Sequence, residues 1–187
     1  MIAMALDQDT ASDADLIGLA QGGDGVAFGQ LVERHYDFVY RVAYRWCGRK
    51  QDAEDVAQEV CIRLAKAIRG YRGGGAFTSW LYAMAMNAAR DLGRKSAREK
   101  TKTDAFSTQA LISTAQAAEA DDPVDELWRS VRALPDKQRE AVTLVYGEGL
   151  SHAAAAEAMA ISEATVSWHI HEAKKRLRIL MRAAGEV

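Results

Sequence analysis

The sequence predicts an all-α protein made of two small helical domains, and three observations predict it. Apolar residues recur at spacings of three and four over long stretches of the 187 residues. The only two prolines, Pro123 and Pro135, lie outside those stretches, so nothing forces them to break. Between residues 99 and 122 the chain turns to Ser, Thr, Ala, Gln and Lys without a large apolar period, which is the composition of a linker. With 49% hydrophobic residues, each side of that break can build its own core.

Residues 12–98 are expected to form the first domain. Phe28, Leu31, Val32, Val39, Val42 and Trp46 make one helical stripe, and Val56, Val60 and Leu64 another. Gly22 and Gly23 mark a turn and the run Gly73, Gly74, Gly75 a loop, which leaves room for three or four helices. The second domain, residues 123–187, opens on apolar positions Leu127, Val131, Leu134, Val142, Leu144 and Val145.

A helix-turn-helix pattern follows. Ser151 is placed to cap an alanine-rich helix running to about Met159, and a turn falls at Ala160, Ile161 and Ser162. Ser162 can cap the next helix, whose first turn holds Glu163 and Thr165. Val166, Ile170, Ala173, Leu177 and Leu180 form its buried seam. Opposite lie Ser167, Trp168, His171 and Lys175, where a recognition helix carries the side chains that reach base edges, while Lys174, Arg176, Arg178 and Arg182 lie nearer the phosphates. His169 and His171 point about 200° apart on a helix and do not share a metal.

A formal charge of −2 means that affinity for DNA needs localised charge or a partner, because such affinity is largely phosphate neutralisation. The charge is localised. Asp52, Asp55 and Glu59 share a helical face beside an apolar edge at Val56, a pattern that suits a basic partner helix. After the glycine run come Phe77 and Trp80, then a helix with the seam Leu81, Met84, Ala85, Ala88 and Leu92 and an opposite face of Asn87, Arg90 and Arg94. An amide and two guanidiniums in line beside a loop and aromatic rings resemble a single-strand-binding surface.

The chain carries no G-x-S-x-G, HExxH or Walker loop, and its residues offer no catalytic constellation, cofactor site or metal site. Cys47 and Cys61 lack CxxC spacing and read as buried free thiols. No stretch is apolar enough to span a membrane and the N-terminus is acidic, so a cytoplasmic protein without membrane contact is expected.

The segments AEDVAQEV and FTSWL, the spacing of Asn87, Asp91 and Arg94, and the stretch TVSWHIHEAKKRLR, in this order around the linker, resemble the extracytoplasmic-function (ECF) subfamily of bacterial sigma-70 RNA polymerase sigma factors over nearly the whole chain. The resemblance implies a non-enzymatic initiation subunit. Its region 2 would dock on core RNA polymerase through Asp52, Asp55, Val56, Gln58 and Glu59, and would read and open the minus-10 element, holding the non-template strand, with Phe77, Asn87, Arg90, Arg94 and Lys95. Its region 4 would read double-stranded minus-35 DNA with Thr165, Ser167, Trp168, His171, Lys174, Lys175 and Arg178. An anti-sigma factor is a further expected partner. A stand-alone helix-turn-helix regulator or a sigma-like adaptor is the competing reading. Two departures stand out: family recognition helices often carry Lys or Arg where this chain has Ser167, His169 and Glu172, and the first helix of the motif commonly has larger aliphatic residues where this chain has Ala153, Ala154, Ala155 and Ala156.

Overall fold

The computed structural model describes residues 11–73, 75–104 and 123–185, and among them every regular element is helical. The first unit is α1 (Asp13–Gln21), α2 (Gly25–Cys47), α3 (Lys50–Ala67), a 3₁₀ turn (Ile68–Gly70) and α4 (Phe77–Asp104). The second is α5 (Pro123–Arg132), α6 (Asp136–Val142), a π turn (Thr143–Gly147), α7 (His152–Met159) and α8 (Glu163–Gly185).

Local chemistry sets the helix ends. Ser12 and Asp15 form a reciprocal capping box at α1, and Asp24 accepts from the backbone N–H groups of Val26 and Ala27 at α2. Gly48 ends α2 in the left-handed region at φ 75°, which a residue with a Cβ rarely adopts. Ser151 caps α7 by accepting from Ala154 N–H, and Ser162 caps α8 by accepting from Thr165 N–H, both as the sequence pattern predicts. The turn between them places Ala160, a non-glycine residue, at φ 53°.

In the first unit, α2 packs on α1, α3 and α4 around Leu31, Val42, Val56, Val60 and Leu81, each at most 2% exposed. Asp13 ties α1 to α2 through Arg34 and His35, both at 2.8 Å. Burial by itself would raise the Asp13 carboxyl, but the Arg34 hydrogen bond and the His35 charge outweigh it and hold the carboxyl low. In the second unit, α8 packs on α6 and α7 through Val166, Ile170 and Ala173. Leu177 is half-buried and Leu180 is 37% exposed, so the expected seam holds for its first turns and opens toward the C-terminal end of α8. Leu127, expected in the core, is 40% exposed.

Three further expectations are corrected. Helix α4 continues to Asp104, so the expected linker at residues 99–122 begins inside a helix; residues 105–122 lie outside the described residues. The thiols of Cys47 and Cys61 are half-buried rather than buried. The periodicity of α4 predicts one buried face, yet Tyr82, Met86 and Ala89, off the Leu81, Ala85, Ala88 seam, are also at most 3% exposed. The second face is covered because the two units pack together, α4 on α7 and the C-terminal part of α2 on α5 and the π turn.

Candidate nucleic-acid interface

Helix α8 presents Ser167, Trp168, His171 and Lys175 to solvent along one face, opposite Val166, Ile170 and Ala173. Trp168 is 56% exposed, an unusual position for so large an apolar ring and one that suits a ligand-facing role. The Ser167 hydroxyl is held by His152 Nδ1 at 2.8 Å, so a residue of α7 that the sequence reading passed over orients one of the predicted base readers. Lys175 pairs with Glu172 at 3.0 Å, a contact that lowers the Glu172 pKa. Lys174 lies 5.2 Å from the Tyr146 ring centroid, and Arg178 is exposed. Thr165 is the exception: it is half-buried and its hydroxyl meets Ser162 Oγ at 2.7 Å, so it completes the cap of α8 instead of facing outward. His169 turns toward α6, where burial, then the charge of Lys137, lower its pKa. Exposed His171 lies on another face, as the helical geometry requires.

On the first unit, Asp55 and Gln58 are exposed on α3, with Asp52 and Glu59 half-buried beside them. Val56 is 2% exposed and belongs to the core, beneath the carboxylates of the predicted polymerase face instead of among them. Asp52 is 3.7 Å from Arg49. Glu59 accepts from Arg63 at 2.7 Å, Arg63 also reaches Asp91 of α4 at 3.1 Å, and Asp91 pairs with Arg94. Hydrogen bonds from Arg94 and then Arg63 keep the Asp91 carboxyl low. Arg63 and Asp91 therefore join the predicted polymerase face to the predicted strand-holding face. Arg63, a cation four residues after Glu59, is the signal that marks this pairing in the sequence.

Asn87, Arg94 and Lys95 are exposed on α4. Two residues expected beside them are not. Phe77 is 7% exposed and packs edge-on against His35 and Tyr71, because as the first residue of α4 it anchors the helix into the core. Arg90 is turned into the seam between the units, where it pairs with Glu140 at 3.0 Å and lies 5.4 Å from the Trp46 ring. Gln21, also missed from sequence, donates to the carbonyls of Ile68 and Tyr71 at 3.1 and 2.7 Å and so fixes the start of the glycine loop. Around it, Asp13, Ile17, Gln21, Tyr71, Gly73 and Phe77 line an open cleft of about 510 Å³.

A helix-turn-helix unit with an exposed aromatic and basic face, joined to a helical unit with separate acidic and amide-plus-cation faces, defines a DNA-binding protein with a second, protein-facing role. Comparison with known proteins specifies the class. The family Sigma-70 region 2 matches residues 31–99, and Sigma-70, region 4 matches residues 125–177. The chain is 30% identical to the RNA polymerase sigma-H factor of Pseudomonas aeruginosa, over 92% of this chain and 97% of that one. It is also 30% identical to the ECF RNA polymerase sigma-E factor of Escherichia coli, over 89% and 92%. With ECF RNA polymerase sigma factor SigE of Mycolicibacterium smegmatis the identity is 32%, but the match spans only 59% of that longer protein. Among solved structures, CnrH in complex with the cytosolic domain of CnrY superposes with a TM-score of 0.68 at 25% identity, covering 90% of this chain and 96% of that one. The chain belongs to the ECF subfamily of sigma-70 family RNA polymerase sigma factors, the subunits that direct promoter-specific transcription initiation.

Proposed function

We propose that the two units divide the work of initiation. The first, residues 12–98 of the expected division, docks on core RNA polymerase through the exposed carboxylate side of α3, centred on Asp55, Gln58 and Glu59. The outer face of α4, with Asn87, Arg94 and Lys95, and the cleft under the glycine loop hold the separated minus-10 strand: cations follow the backbone while the cleft admits an unstacked base. The second unit, residues 123–187, lays α8 in the major groove of the minus-35 element, where Ser167, Trp168, His171 and Lys175 face the base edges and Arg178 the phosphates. The protein acts as a regulatory subunit without chemistry of its own, and family membership extends its partners to an anti-sigma factor.

The observation that carries this reading is the outward-facing quartet on α8, set on a helix whose opposite side is locked by Val166, Ile170 and Ala173. Among the described residues no helix is long and apolar enough to cross a membrane. Purified chain and core polymerase, combined on a library of promoter fragments, test the proposal: specific transcripts are expected only when both are present. Promoter binding by the chain with no dependence of transcription on it would instead establish a stand-alone regulator.

A further inference from the structure

Of the four side chains on the outward face of α8, Ser167 is the smallest and the least committed. A serine hydroxyl has one hydrogen to give and two lone pairs to receive, and its rotor turns to suit its partner. Such a group satisfies either kind of base edge in the major groove, so by itself it does not discriminate. The structure restricts it. His152 Nδ1 lies 2.8 Å from Ser167 Oγ, a contact between residues 15 positions apart in the chain. His152 is the first residue of α7, an end fixed by the Ser151 cap on Ala154 N–H. Helix α7 packs on α8, and Ala155, Ala156, Met159, Val166 and Ile170 are at most 7% exposed, so the two helices hold one separation. Ring and hydroxyl are therefore set against each other by the helix-turn-helix core beneath them, the arrangement in which a supporting residue locks the side chain that meets a ligand.

We propose that His152 is a positioning residue that sets the base preference of Ser167: its ring takes the serine hydrogen at Nδ1, so Oγ meets the DNA only as an acceptor and selects adenine or cytosine. The inference rests on the sigma-factor reading above and deepens it. In a helix-turn-helix the first helix crosses the phosphate backbone while the second enters the groove, and His152 opens that first helix. A phosphate oxygen beside the ring is matched by a hydrogen on Nε2 and opposed by a lone pair there. A neutral imidazole with its hydrogen on Nε2 has a bare Nδ1. The bond to Ser167 then runs from hydroxyl to ring, and the serine has only lone pairs left for a base. In the major groove adenine N6 and cytosine N4 donate, whereas guanine N7 and O6 and thymine O4 accept. An acceptor-only Oγ is matched by the first two bases and sets lone pair against lone pair at the others. With the opposite tautomer the hydroxyl keeps its hydrogen and any base satisfies it, so the preference itself reports the state of the ring.

The test uses the full chain with core polymerase on promoters randomised across the minus-35 element, at about pH 8, where an ordinary imidazole is neutral. Ser167→Ala marks the position this serine reads, as the one where discrimination falls. There the wild type should favour adenine or cytosine on one strand by about fivefold or more. His152→Ala should lose that preference at the same position and leave the others as they were. Combining the two changes should remove no further discrimination, because a single hydroxyl carries it. His152→Asp offers only acceptors, its oxygens as far from Cβ as Nδ1; it should weaken binding to all sequences alike, by its charge, yet restore the preference. Thermal melting verifies that each variant is folded. In the free chain, without polymerase, the Nδ1 nitrogen resonance of His152 should move on Ser167→Ala. A wild type that favours guanine or thymine at that position or shows no preference there, losses that add in the double variant, or a folded His152→Asp as indifferent as His152→Ala would overturn the proposal. An unmoved Nδ1 resonance would overturn the contact itself. Absence of polymerase-dependent transcription with the wild type would refute the sigma-factor reading, while the resonance still decides whether His152 holds the serine.

Discussion

Replacing Trp168 by alanine removes the largest side chain from the exposed face of α8. The ring is 56% exposed, and its edge contact with His169 has a centroid separation of 4.9 Å, so truncation should change stability by about 1 kcal/mol or less. If the ring lies against base edges in the major groove, the loss appears instead as discrimination between promoters. A good base contact carries about 1–3 kcal/mol, which is about a 5- to 150-fold change in preference at one minus-35 position. Arg178→Ala is the control, because a phosphate contact weakens binding about equally on all sequences and lowers the salt slope by about one. The assay is transcription by reconstituted holoenzyme from a library randomised across the minus-35 element, since a chain of formal charge −2 binds DNA weakly by itself. A library profile for folded Trp168→Ala that matches wild type, position by position, would show that this face of α8 does not read sequence.

Asp55→Arg should weaken core polymerase binding at least several-fold with stability within about 0.5 kcal/mol, since Asp55 is exposed; titration with labelled polymerase and thermal melting check the two halves. Asn87→Ala should reduce promoter opening, seen by permanganate footprinting, with the closed complex unaffected. Leu144→Ala, at a fully buried site, should destabilise the second unit by about 2–5 kcal/mol in urea titration. Burial, then the charge of Asp52, push the Cys47 thiol up to about 11. A raised thiol pKa means less thiolate at a given pH, so near pH 8 iodoacetamide should modify Cys47 roughly a hundredfold more slowly in the native protein than in the unfolded one.

The parts of this protein legible in its sequence are those set by short-range rules. The caps at Ser151 and Ser162, the turn between them and the seam through Val166, Ile170 and Ala173 depend on neighbours within a turn or two, and the outward face of α8 follows by rotation about the helix axis. Val56 and Phe77 were misplaced because each stands beside polar residues that do face solvent, and adjacency in sequence does not separate rim from floor. The seam between the units was illegible for a different reason. Its members, among them Arg45, Arg90, Glu140 and Glu148, are charged residues on helices, which a periodic pattern assigns to water until another surface is known to cover them. The second buried face of α4 was hidden likewise: Tyr82 and Met86 lie off the first stripe, and it is the arrival of the second unit, which sets Glu140, Arg139 and Glu148 around Tyr82, that covers this side of the helix.

The makeup of that seam bears on how the protein is made. Synthesis delivers α1 to α4 before any of α5 to α8 exists, and a domain that completes first folds first. For that interval the ribosome-bound half shows the surface that later receives Glu140 and Glu148, with Trp46 and Tyr82 at its centre. An apolar surface of that kind would invite neighbouring nascent chains to stick. With Arg41, Arg45 and Arg90 around it, that surface should stay hydrated until its own second half brings Glu140 and Glu148 to meet those cations.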